Sequence, residues 1–239
     1  MGKPDIIYED NDIIVCYKPA GIATQTRRIG QQDMESFIRN YRAAKNEPPY
    51  VGIVHRLAQP VEGVMVFAKN QKAAASLSRQ IKEHTTEKYY RAASRGQGVS
   101  GTAVEEAWHT LTDYISFDKR TNTSKITSEK DRLAKKAVLQ YRVISVTPDR
   151  DSSQNECIRT EFDIKLLTGR HHQIRLQLAH IGYPLIGDTK YGKPASNNSG
   201  TGSKSGRTGG GVREQLALCS YKIVFDHPAT GERMTFELP

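Results

Sequence analysis

Cysteine is scarce in this chain: 239 residues contain three, Cys16, Cys157 and Cys219, far apart in the sequence. They form neither a CxxC pair nor an even set, which excludes a disulfide framework and points to a reducing cytosol. No apolar run approaches the roughly 18 residues of a membrane helix. The opening MGKPDIIYED has no apolar stretch of signal-peptide length, and Ile6 stands where N-myristoylation favours Ser or Thr. Also missing are a P-loop, a GxGxxG, a G-x-Ser-x-Gly elbow, an HExxH pair and any internal repeat. Those absences argue against nucleotide-driven, serine-hydrolase and zinc chemistry.

What is present is charge of one sign in excess. Lys and Arg number 35 against 26 Asp and Glu, a net +9, while 37% of residues are hydrophobic and 26% charged. This balance suits a globular protein with a polyanionic partner. With no second hydrophobic unit at either end, residues 1–239 read as a single domain, monomeric and cytoplasmic. The Gly/Ser-rich stretch at about 193–211 reads as a flexible surface loop within it, because strand-like sequence resumes beyond.

Apolar runs flank Glu9-Asp10-Asn11-Asp12, which predicts two short strands joined by a tight turn and ended by Pro19 and Gly21. Residues 33–44 place Met34, Phe37, Ile38 and Tyr41 on one helical stripe, with Asp33 as N-cap. Strand character follows at 51–57 and 64–69. A helix over 70–84 is capped by Asn70 and lined by Ala73, Ala74, Leu77 and Ile81. Further strands are predicted at 87–94, 108–114, 135–146, 157–167 and 216–225. A last helix is predicted at 170–182, stopped by Gly182. Many strands and few helices predict an α+β fold, a mainly antiparallel mixed sheet with a few flanking helices.

Two segments combine polar density with apolar neighbours. Val54-His55-Arg56-Leu57-Ala58-Gln59-Pro60-Val61-Glu62-Gly63 is a loop between strands. Leu167-Thr168-Gly169-Arg170-His171-His172-Gln173-Ile174-Arg175 is a strand giving way to a helix whose first turns carry two Arg, two His and a Gln. Backbone N–H groups at a helix start, joined by guanidinium groups, suit phosphate, although Arg170 and Arg175 could equally be solvated. Adjacent His171 and His172 would point to different helix faces, and no carboxylate sits at metal-ligand spacing. No metal and no other cofactor is therefore expected, and a metal-dependent phosphodiesterase using His55, His171 or His172 is disfavoured. Tyr89 and Tyr90 alternate faces in a strand, one toward core and one toward a cleft. Arg27-Arg28, Lys119-Arg120, Lys125 and Lys135-Lys136 are basic clusters in or beside loops, suited to solvent or to a polyanionic partner.

His55-Arg56-Leu57-x-x-Pro60-x-Glu62-Gly63 with the strand ending at Ala68-Lys69 resembles the HRLDxxxSG-strand-AK motif of RluA-type RNA pseudouridine synthases. The resemblance continues through Lys88-Tyr89-Tyr90-Arg91-Ala92 (KxYxA), Thr168–Arg175, Gly182-Tyr183-Pro184-Leu185-Ile186-Gly187-Asp188 and Tyr191-Gly192. Tyr8-Glu9-Asp10-Asn11-Asp12, Lys18-Pro19-x-Gly21 and Leu216-Ala217-Leu218 fit as well, so the blocks span nearly the whole chain in family order. The match starts at the catalytic domain, so the resemblance leads to the expectation that the N-terminal S4 RNA-binding domain of many relatives is absent.

The resemblance implies an enzyme that isomerises uridine to pseudouridine in structured RNA, ribosomal or transfer, without metal or organic cofactor and away from membranes. Such chemistry needs a carboxylate beside C1′, a base for the C5 proton and a flipped nucleotide. It also implies that Arg175 is the ion-pair partner of the HRLD aspartate. Tyr90 would pack on the target base and relay the C5 proton. Arg56 would open the helix or hold phosphate, and His172 and Gln173 would support the geometry. His55 and Arg170 are counted with the substrate-binding set.

The decisive departure is Ala58, which stands where the family has its aspartate. With the surrounding set intact, the expected explanation is a deliberate Asp-to-Ala replacement, a single-base codon change, in an enzyme that keeps RNA binding and loses activity. A natural RNA-binding pseudoenzyme is the alternative. An alanine codon in the natural gene would refute the replacement.

Overall fold

The computed structural model describes residues 4–26, 28, 30–96, 103–150, 155–192 and 214–239. The expected loop at 193–211 and Arg27 lie outside the described residues.

The elements in chain order are β1 (Asp5–Glu9), β2 (Ile13–Lys18), α1 (Met34–Ala44), β3 (Gly52–Ile53), β4 (Glu62–Ala68), α2 (Gln71–Lys82) and β5 (Glu87–Gly96). They continue with β6 (His109–Asp118), β7 (Thr123–Thr127), β8 (Lys135–Arg150), β9 (Glu156–Leu166), α3 (Gln173–His180), β10 (Leu218–Asp226) and β11 (Arg233–Glu237). All strands join one sheet in the order β1-β2-β4-β10-β5-β9-β8-β6-β7, with β3 on β4 and β11 on β10. Among the described residues only β10 and β4 pair in parallel. The α+β, mainly antiparallel expectation is borne out.

Apolar alternation divides the sheet into two faces. Ile14, Cys16, Met65, Phe67, Tyr90, Ala92, Phe162 and Ile164 bury one face against Met34 and Ile38 of α1 and Ile174 and Leu178 of α3. Ile13, Val15, Val64, Val66, Ile223 and Phe225 bury the other against Ala73 and Leu77 of α2. Both predicted N-caps are in place: Asp33 accepts from Ser36 N–H in a capping box, and Asn70 accepts from Ala73 N–H.

Three expectations change. The strand at 51–57 shrinks to Gly52–Ile53, because His55 spends its ring nitrogen on the backbone of β4 and leaves 54–57 without a ladder. The helix at 170–182 starts only at Gln173. His172 sits in the left-handed region (φ 54°), so Arg170 and His171 belong to a preceding turn. For the same reason the two imidazoles do not splay to different helix faces; their ring centroids are 3.7 Å apart. The short strands β7 and β11 were not predicted, since a five-residue edge strand carries little periodic signal.

Gly63 shows why the parallel pair needs glycine. At φ 137°, a Cβ would lie 2.3 Å from the carbonyl oxygen of Ser220 on β10. Any side chain there would force apart the two strands at the centre of the sheet.

Candidate active site

The register brings the two signature segments together. Glu62 and Gly63, at the exit of the first, pair with Cys219 and Ser220, and Cys219 pairs in turn with Arg91 on β5. Tyr90 is thus two strands from the loop carrying Ala58. Leu57, Val61, Tyr90 and Ile174 are buried members of one cluster, and Ala58 packs against it. From the second segment the chain returns over β5, where Ile186 N–H donates to Ala93 O and Ala217 N–H donates to Ile186 O. Gln215 ties the halves: its carbonyl oxygen would be 2.3 Å from a Cβ on Gly187 (φ 73°), and its Nε2 donates to Glu62 at 3.0 Å. Both signature segments lie on one face of the sheet.

Arg175 has a carboxylate partner in addition to the expected one at position 58. Arg175 is 5% exposed, and its charge is met by Asp188: Nε donates to Oδ2 at 2.7 Å and Nη2 to Oδ1 at 2.6 Å. Asp188 also accepts from the backbone N–H groups of Lys190 and Tyr191. Burial pulls its carboxyl upward, but Arg175 and these N–H groups win and hold it below the ordinary range. A guanidinium so deep in the fold needs a full carboxylate, and the chain supplies one thirteen residues on. Asp188 was visible in the sequence as part of a motif, but nothing there assigned it a role.

The turn before α3 is tied down by side chains. Gln173 is buried, and its Oε1 accepts from Thr168 Oγ1 at 2.9 Å and from Arg170 N–H at 3.0 Å. Arg170 Nε donates to Lys136 O at 2.9 Å. Ser124 of β7 donates to His171 O, and its N–H donates to Tyr191 Oη, which is 3.1 Å from His172 Nδ1. Burial, then the Arg175 charge, push His172 down to about 3, so this imidazole is neutral.

On the other segment, exposed Arg56 donates to Gln25 Oε1 at 2.8 Å. His55 accepts from Val66 N–H at 3.1 Å. Its partners make it a prop for the loop. Burial and the charge of Lys88 push it down to about 3. Lys88 is itself held below its ordinary value by burial, and its Nζ would lie 3.9 Å from a Cβ on Gly169. Tyr90 is 6% exposed, the core member of the Tyr89-Tyr90 pair. Burial pushes its hydroxyl up to about 12 against the opposing effect of Ser220 beside it, so it is protonated at neutral pH.

Lys18 is a residue the sequence quoted without a role. It is fully buried, and its Nζ donates to the carbonyls of Pro19, Ile22 and Gln59 at 3.1, 2.6 and 3.3 Å. Burial lowers it to about 8. It clamps the residue next to Ala58 onto the end of β2.

Among the described residues, one set of metal-type ligands converges: Asp10, Asp12 and His227. Asp10 already accepts from Tyr8 and from the N–H groups of Asp12 and Ile13, His227 Nε2 is 2.9 Å from Asp10 Oδ2, and Asn70 donates to Asp12. It is a capped turn, remote from both signature segments. His171 Nδ1 and His172 Nδ1 are likewise engaged, by Ser124 and Tyr191.

Residues 12–180 match the family described as RNA pseudouridylate synthase. The chain belongs to that family. It is 31% identical to the uncharacterized RNA pseudouridine synthase YhcT of Bacillus subtilis, over 100% of this chain and 69% of that protein. It is 31% identical to ribosomal large subunit pseudouridine synthase D of Vibrio parahaemolyticus (98% and 66%) and 29% identical to tRNA pseudouridine synthase C of Haemophilus ducreyi (97% and 88%). The chain thus spans about two thirds of the first two. Human RNA pseudouridylate synthase domain containing 1 shares the fold, with a TM-score of 0.69 at 23% identity, covering 99% of this chain and 83% of that one.

The neutral histidines of this pseudouridine synthase fold have a measurable consequence. Unfolding releases His55 into water, where it titrates near 6.5. Its folded value is depressed, so the unfolded chain binds the extra proton. The stability it contributes is complete above pH 6.5 and is lost as pH falls toward 3. Denaturant melts should show a loss of about 1.4 kcal/mol per pH unit per such group below 6.5. His55→Asn should remove one proton's share of the slope, and His172 acts in the same window.

Proposed function

We propose that this chain is the catalytic unit of a synthase that isomerises specific uridines of ribosomal or transfer RNA to pseudouridine, acting in the cytoplasm as a monomer. The reaction breaks the N-glycosidic bond and rejoins C5 of the base to C1′. The observation that carries the reading is that the segments around residues 58 and 175 share one face beside Tyr90, in a chain matched to the family over residues 12–180. In the active form residue 58 is an aspartate that meets the positive character at C1′. Tyr90, protonated, packs beside the base and relays the C5 proton. Arg56 and Arg170, both near the surface, hold phosphate. His55, His172 and Gln173 position the loops through the bonds described above. With Ala58 the chain binds RNA without turnover, since phosphate contacts carry most non-specific affinity.

The pseudoenzyme reading draws support from Asp188, which satisfies Arg175 without residue 58. Sequencing the natural gene separates the two: an aspartate codon supports the enzyme, an alanine codon the pseudoenzyme. Mapping pseudouridine in total RNA from cells with and without the gene identifies the target. No uridine that changes would sink the synthase.

A further inference from the structure

Phe117, at the end of β6, is an aromatic ring left 39% exposed on the strand pair that closes the sheet. Its centroid is 4.2 Å from that of His171, which in turn lies 3.7 Å from His172. The stack is fixed from below, because Phe117 pairs in register with Ser124, the residue that holds His171 through both its carbonyl and Nδ1. Burial, then Lys190 and Arg175, hold His171 below its ordinary value, and its ring lies against those of both Phe117 and His172.

The surroundings supply a positive field. Asp118 follows Phe117, and Lys119 and Arg120 sit exposed in the β6–β7 turn just beyond it. Lys190 Nζ reaches the carbonyl of Asn122 in the same turn, and Arg170 Nε takes the carbonyl of Lys136. These bonds go to neutral oxygens, while Asp188 partly offsets Lys190 and Asp118 partly offsets Arg120. An exposed Phe117 ring, backed at a 42° tilt by the half-buried His171 and flanked by cations, suits a nucleobase and its flanking phosphates.

We propose that the Phe117–His171 ring pair is a stacking platform for an unpaired nucleotide of the bound RNA, with Lys119, Arg120, Arg170 and Lys190 along its phosphates. This rests on the RNA reading above and extends it: the strand pair β6–β7 is an RNA-docking edge that selects RNA with an unpaired nucleotide beside the target stem.

The test uses the full chain and two RNA probes, a stem-loop with 2-aminopurine in its loop and a blunt duplex of equal length. Binding of the stem-loop should quench the 2-aminopurine. Phe117→Ala should weaken stem-loop binding about 5- to 100-fold and abolish the quench. It should leave duplex binding and the salt slope unchanged. Phe117→Trp should restore both affinity and quench. Lys119→Ala/Arg120→Ala should instead lower the salt slope, by roughly 0.7 per lost contact on a single strand. Unchanged stem-loop binding by Phe117→Ala, or an equal loss on the duplex, overturns the platform while leaving the synthase reading intact. Failure of the unaltered chain to bind either RNA overturns both.

Discussion

Ala58→Asp should convert the chain from an inactive RNA binder into a synthase, releasing tritium from RNA labelled at uridine C5. The expected gain is about 10⁴- to 10⁶-fold, the usual loss when a nucleophile is removed, read in reverse. Residue 58 is half-buried at the rim of the cluster that holds Tyr90 and Ile174, with Gln59 fixed by Lys18. A carboxylate arriving there joins a face with two buried cations: Lys88, depressed by burial, and Arg175, which has N–H donors beyond the two given to Asp188. The substitution should leave the melting temperature unchanged or raise it, and should raise the Lys88 pKa. A fall of several degrees would mean that the face cannot accommodate a charge. Absence of tritium release from every cellular RNA fraction of a cognate knockout strain would sink the enzyme.

Breaking the Arg175–Asp188 pair should be the most destabilising single change in the site. Arg175→Ala leaves a buried carboxylate unpaired, and Asp188→Ala leaves a buried guanidinium unpaired. Each should cost about 3–5 kcal/mol, or roughly 6–20 °C in Tm for a chain of this size. The double variant Arg175→Met/Asp188→Leu should recover most of that loss, because neither charge is then stranded. Because the folded carboxyl is depressed, the pair's stabilisation is present above the unfolded value near 3.8 and disappears as pH falls through the lower folded value. If Asp188→Ala costs less than about 1 kcal/mol, the range of an exposed ion pair, Asp188 is not the residue that neutralises Arg175.

Helices α1 and α2 were legible because their apolar stripes coincide with good caps, so local energy and packing agree. Helix α3 was misread at its start, where three polar residues give no periodic signal and a left-handed His172 turns the chain. The signature segments were legible from residue type and order. The partner of Arg175 was not, because any acidic residue could meet it in principle, and only the path of residues 181–188 over β5 chooses Asp188.

By resemblance to the synthases, position 58 lacked its acid; from its residues alone the chain declared an α+β sheet, a basic surface and two motif-bearing loops. Those properties depend on side-chain chemistry and on neighbours a few positions apart. Folding decided which charges meet, that His55 and His172 are neutral props, that Lys18 grips the loop beside Ala58, and that Phe117 rests on His171. Each of these arises between segments distant in sequence, brought together by strand register and burial, and no local pattern encodes such a meeting.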